Sequence, residues 1–249
     1  MHLSRSLFFR LILTSVLFGG SGFSLFSEGS GDNLEYVLDR YLEVMGGSAS
    51  LESIVSIYLT GAIVRPEDTR IPISILKKRP NKVRIIQHLK DLKVIHGFDG
   101  EKAWTAIESD DGIVLQELDS DSARQIIESA PMENLLVDVR DTGAVLELAG
   151  EVDIARSPCY QILARFPDGS NREFLIEKET FLDRRVSNFD SEGKLVTEFI
   201  PSNFKTVNGV LFAMKQLTRV DGEVQSTLLI DEVNINMGIL DTLFSPPGE

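Results

Sequence analysis

Val207-Asn208-Gly209-Val210-Leu211-Phe212-Ala213-Met214-Lys215-Gln216-Leu217-Thr218-Arg219-Val220-Asp221-Gly222-Glu223-Val224-Gln225 is the stretch on which the fold turns. It carries an Asn-Gly and an Asp-Gly pair, the strongest short-range signals for two-residue hairpins, on either side of an alternating run. Val210, Phe212 and Met214 share one face of that run, while Lys215 and Arg219 mark the other. Three successive antiparallel strands are therefore predicted, over residues 195–204, 210–219 and 225–234.

Upstream the same grammar repeats. Strands are predicted over 145–149, 159–166, 172–177 and 182–189, separated by turn dipeptides such as Asp168-Gly169 and Glu192-Gly193. Nearer the N-terminus, 56–64, 71–77, 82–88, 92–97 and 102–107 alternate in the same way. The period changes only twice. Leu34, Val37, Leu38, Tyr41, Leu42 and Met45 recur at helical spacing after a capping Asp32 or Asn33, and Gly46-Gly47 ends that helix. A short helix follows, capped by Ser48 or Ser50. The second change spans 119–138, where Ser120 or Asp121 caps a helix and Pro131 starts another turn. So many strands do not stay flat in one open sheet. The expected class is mainly β (α+β), a strongly curved antiparallel half-barrel of about eleven strands with helices on its concave face.

The first residues order themselves as an export signal. Arg5 and Arg10 precede the apolar run Leu11-Ile12-Leu13-Thr14-Ser15-Val16-Leu17-Phe18, and small residues follow. The run is shorter than the roughly 20 residues that span a bilayer. Residues 1–24 are expected as a cleaved signal peptide, 25–33 as a flexible linker and 34–249 as one domain. The expected location is the periplasm, the alternative an inner-membrane anchor through an uncleaved signal.

Composition excludes more than it suggests. A net charge of −13 argues against nucleic acid, whose phosphates need a basic face. The only cysteine, Cys159, sits in an apolar strand and reads as a small core residue. His88 and His96 flank one predicted hairpin, but neither cysteine nor an obvious carboxylate set completes a metal site, so none is expected. No G-x-S-x-G elbow or phosphate loop is present. The acidic cluster Glu108, Asp110, Asp111, Glu117, Asp119 and Asp121 reads as a solvated loop. No catalytic residue and no cofactor is expected, and a secreted hydrolase is the weakest of the readings.

What stands out is the apolar face shared by the strands. A broad curved sheet presents more such surface than three short helices cover, and the remainder encloses a cavity suited to a small apolar ligand. The candidate lining is Ile73 and Ile75, Ile85, Trp104, Ile162, Phe174, Phe212 and Met214, with Leu228 and Ile230. The opposite, wet face includes Lys82, Arg84, Glu173, Asp183 and Arg185. Spacing does not separate core from cavity position by position. Ile126, Ile127, Leu135 and Leu136 of the central insert are candidates for a gate over the cavity; the same spacing suits a fixed helix that completes the core.

Tyr41-Leu42-Glu43-Val44-Met45-Gly46-Gly47, Gly97-Phe98-Asp99-Gly100-Glu101-Lys102-Ala103-Trp104, Val207-Asn208-Gly209-Val210-Leu211-Phe212 and the closing Leu240-Asp241-Thr242-Leu243-Phe244-Ser245-Pro246-Pro247 occur in an order that resembles the LolA/LolB-like superfamily of periplasmic lipoprotein-sorting and lipid-carrier proteins. The resemblance implies a half-barrel of about eleven strands closed by helices, with a cavity for the acyl chains of lipids or lipoproteins. It further implies a monomeric carrier working between inner- and outer-membrane acceptor proteins. Related folds sense lipid in envelope-stress signalling, which supplies the alternative reading, a lipid-sensing interaction module. The family has no catalytic residues to transfer. The longer C-terminal meander and more acidic balance set this chain apart from the dedicated carriers.

Overall fold

The computed structural model describes residues 33–132, 136, 139 and 142–248. The expected signal peptide and the linker up to residue 32 lie outside the described residues, as does Leu135. Strands β1 (Ser56–Val64), β2 (Arg70–Lys78), β3 (Lys82–Leu89), β4 (Leu92–Phe98), β5 (Ala103–Ser109) and β6 (Gly112–Gln116) form a first meander. A second contains β7 (Val145–Ile154), β8 (Ser157–Arg165), β9 (Asn171–Glu177), β10 (Asp183–Phe189), β11 (Leu195–Val207), β12 (Val210–Val220) and β13 (Glu223–Ile235). All thirteen join one open antiparallel sheet in the order β6-β5-β4-β3-β2-β1-β13-β12-β11-β10-β9-β8-β7. The sheet is the curved half-barrel expected from the sequence, with β6 among the strands beyond the expected eleven.

Local chemistry accounts for the long hairpins. Asn208 and Gly209 have φ of 49° and 83°, and Asp221 and Gly222 likewise 49° and 83°. A two-residue turn that follows the strand twist needs positive φ at both central positions. The meanders are joined by β1 pairing with β13, Ile57 opposite Ile235 through Val64 opposite Thr227. That contact closes a loop of some 170 residues in sequence and is invisible to any local pattern.

Helix α1 (Leu34–Met45) begins at Asn33, whose side chain accepts from the Tyr36 amide, and buries Val37, Leu38, Tyr41 and Met45. It stops at Gly46, with φ 124°. A Cβ there would lie 2.5 Å from the Gly209 carbonyl oxygen, so the helix end rests directly on the β11–β12 turn. The short α2 (Ser48–Glu52) starts at Gly47 without a side-chain cap, so neither Ser48 nor Ser50 serves. Asp119 caps α3 (Ser120–Glu128) by accepting from the Ser122 amide, one position before the residues expected to do so.

The main core packs α1 against Tyr160, Ile162, Phe174, Ile176, Val210 and Met214. Cys159 is fully buried, on the far side of β8 from Tyr160 and Ile162. A second core joins Ile126 and Ala130 to Val83, Ile85 and Phe98. Although consecutive in sequence, β6 and β7 are the two opposite edges of the sheet. The described residues between these two strands therefore cross its open side. Ile126 anchors this strap in the second core, while Met132, Leu136 and Val139 anchor it in the main core.

Candidate functional site

The concave face encloses a cavity of about 1640 Å³ between α1, α3 and strands from both meanders. Its wall includes Ile73, Ile75, Ile85, Phe174, Phe212 and Leu228, six of the ten candidates from the sequence. Ile162, Met214 and Ile230 share that face but pack in or against the main core beneath α1, so they support the wall rather than line it. Phe199 and Phe204 of β11 and Val186 of β10 line the cavity as well. Their strands had been recognised, but the inward face had not been assigned residue by residue.

Trp104 requires correction. It lies on the opposite, convex face with Ile95 and Ala106, while its neighbours Thr105 and Ile107 point into the cavity. Trp104 pairs with Gly97, where an added Cβ would sit 2.3 Å from the indole; the ring occupies the space a side chain would need. Its Nε1 donates to the Phe244 carbonyl at 2.7 Å, and Arg84 Nη1 donates to that of Leu243. The segment after β13 thus covers this part of the convex face, with Asp241 paired to Lys78 and Lys82.

The gate candidates separate in the same way. Ile126 lines the cavity, Leu136 is sealed in the main core, and Ile127 is 43% exposed. One residue along a helix is a rotation of ~100°, which turns Ile127 to solvent when Ile126 faces inward.

Asp183 also moves. Alternation assigns it to the wet face, yet it lines the cavity and accepts a 2.8 Å hydrogen bond from the Tyr41 hydroxyl. The register between β9 and β10 shifts between Asp183 and Arg185, and such an irregularity turns the side chain inward. The residue as a whole is half-buried, but its Oδ1 is sealed from solvent without a partner. Burial therefore raises its carboxyl to about 6, against the opposing hydrogen bond from Tyr41.

His88 and His96 are not a pair. His88 is exposed on the convex side, whereas His96 lines the cavity, where burial lowers its imidazole to about 4. At the rim, burial raises the Glu128 carboxyl of α3 despite the nearby charges of Arg124 and Arg172. Arg172 Nε donates to Asn188 Oδ1 at 2.7 Å, and its guanidinium lies 5.3 Å from the Phe166 ring centre. Among the described residues, no group of three or more His, Cys, Asp or Glu is placed to hold a metal ion, and no helix is long and apolar enough to cross a membrane. The acidic residues of the β5–β6 region are spread among local tasks: Glu108 pairs with Lys93, Asp119 caps α3, and Asp121 pairs with Arg124.

With this geometry, the chain has a LolA-like fold. A DUF1329 family protein from Desulfovibrio piger superposes with a TM-score of 0.60 at 14% identity, covering 86% of this chain and 98% of that one. A protein named for outer-membrane lipoprotein sorting, from Vibrio parahaemolyticus, gives 0.57 at 10% identity over 85% and 97%. A LolA superfamily protein from Nitrosomonas europaea gives 0.56 at 13% identity over 87% and 99%. The sequence matches no protein-family model and no curated protein.

Proposed function

We propose that the chain is a periplasmic carrier that holds acyl chains of lipids or lipoproteins in its concave cavity, in outer-membrane lipoprotein sorting or lipid trafficking. The cavity itself carries this reading. At about 1640 Å³ it exceeds the ~300–1,000 Å³ usual for small-molecule pockets, and branched and aromatic side chains dominate its strand walls. Its likeness to the Vibrio parahaemolyticus protein extends to the fold and supports the same direction.

Cargo enters, on this reading, by displacing α3. The helix has only nine residues, and short helices depend on packing for their stability. Ile126 would leave the cavity wall while Leu136 stays as the anchor in the main core. The net charge of −13 repels anionic lipid surfaces, which favours handover by contact with donor and acceptor proteins.

A lipid-sensing module is the second reading, and one observation favours it. Edge strand β6 exposes Ile113, Val114 and Leu115 at 51, 61 and 50%, a free apolar edge on which another protein can add a strand. Native mass spectrometry of protein purified from its source tests both. Carriage requires a bound lipid that transfers to acceptor membranes or proteins. A lipid that stays bound and alters capture of a partner supports sensing, and a protein that neither carries lipid nor binds a fluorescent fatty acid refutes both.

A further inference from the structure

The concave wall formed by β3, β4 and β5 is apolar except for Ser109 at the exposed end of β5 and for one buried polar place. On β3 the inward positions are Val83, Ile85, Gln87 and Leu89, with Gln87 interrupting an otherwise aliphatic row. His96 on β4 stands opposite Ile85, diagonal to Gln87, and faces Thr105 on β5. Ile73 and Val94 flank Gln87 on the neighbouring strands. Gln87 is 2% exposed and Thr105 5%. The His96 Nδ1 lies 2.8 Å from the Thr105 hydroxyl, whereas the Gln87 Nε2 has no hydrogen-bond partner.

We propose that Gln87, His96 and Thr105 form a polar rung in the cavity wall that binds a neutral hydrogen-bond acceptor, the carbonyl of an ester or amide, on an acyl-chain ligand. This rests on the carrier reading and specifies which part of the cargo the protein recognises. A buried amide donor without a partner is unfavourable, so a structural role alone would be served better by leucine. A ligand carbonyl beside Gln87 removes that penalty while its hydrocarbon chain lies along Ile73, Ile75 and Ile107. The rung also bears no charge at neutral pH, because burial holds the His96 imidazole at about 4. Three cations line the wall, Arg65, Lys77 and Arg172, and each has an interaction of its own. Lys77 Nζ donates to the Pro131 carbonyl and Arg172 Nε to Asn188, while Arg65 lies in the turn after β1, off β3, β4 and β5. The rung therefore selects esters and amides over ionised carboxylates or phosphates.

A site built to pair with a carbonyl discriminates against an analogue that lacks one, because its own polar groups are then left buried and unpaired. Displacement of a bound fluorescent fatty-acid methyl ester by methyl palmitate and by heptadecane, in the full chain, reads this preference. The ester-to-alkane affinity ratio is expected to fall about tenfold in Gln87→Leu, and severalfold in Thr105→Val, relative to the native chain. Thr105→Val nearly preserves shape and supplies the result should Gln87→Leu fold poorly. An unchanged ratio in the variants overturns the rung but leaves carriage standing. Failure of the native chain to bind the fluorescent probe or either competitor overturns both.

Discussion

Replacing Asp183 with Asn should uncover a pH dependence of stability that two buried groups largely cancel in the native chain. Burial raises the Asp183 carboxyl from 3.8 to about 6 and lowers the His96 imidazole from 6.5 to about 4. The folded state holds the Asp183 proton more tightly than the unfolded chain does. Its contribution to stability is therefore full in acid, below the ordinary carboxylate range, and is lost as pH rises through about 6. His96 behaves oppositely: its contribution is full above 6.5 and is lost as pH falls towards about 4. Between about pH 8 and about pH 5, linkage gives a gain of about 1 kcal/mol from Asp183 and a loss of about 2 kcal/mol from His96. The native chain shows the small difference. Asp183→Asn should lose about 1 kcal/mol more than the native chain over this interval, and His96→Gln about 2 kcal/mol less. Each kcal/mol moves the melting temperature of a domain this size by about 2–4 °C. Urea or thermal unfolding at the two pH values measures both, and other titrating groups cancel in the comparison with the native chain. Parallel profiles for all three proteins would refute the burial of these groups as the cause.

Trp104→Phe removes the indole donor and leaves the Phe244 carbonyl buried without it; the fold should lose about 1–3 kcal/mol by denaturant unfolding. Affinity for a fluorescent fatty acid should not change, because the ring lies on the convex face, and a parallel loss of binding would contradict that placement. Phe212→Asp puts a carboxylate among acyl chains and should weaken binding of the same probe more than tenfold, with circular dichroism establishing that the variant is folded. Equal binding by a folded Phe212→Asp would remove this part of the wall from the site. Hydrogen exchange should be faster in α3 than in β12 and β13 in the empty protein, and should slow or quicken in α3 alone when lipid is added. Slow, unaltered exchange there makes α3 a fixed part of the core.

The sequence alone determined the elements and their turns, because both depend on neighbours in the chain. Asn208-Gly209 and Asp221-Gly222 supply the positive φ of their hairpins, and the helical spacing from Leu34 to Met45 carries the face that α1 buries. Gln87 was not singled out from the sequence, because one polar residue in register with Val83 and Ile85 carries no signal until the fold shows its amide buried and unpaired. Tertiary structure alone decided which face is concave and how much of it the helices fill. The pairing of β1 with β13 and the placing of β6 and β7 at opposite edges make the described residues between β6 and β7, Ile126, Met132, Leu136 and Val139 among them, a strap across the opening. A register shift turns Asp183 inward, Gly97 makes room for Trp104 on the convex side, and α1 converts Ile162 and Met214 from wall into core. Alternation is a property of one extended backbone and says that two faces differ. Which face encloses the cavity is set by strands and helices far away in sequence, whose contacts form only when the sheet curves.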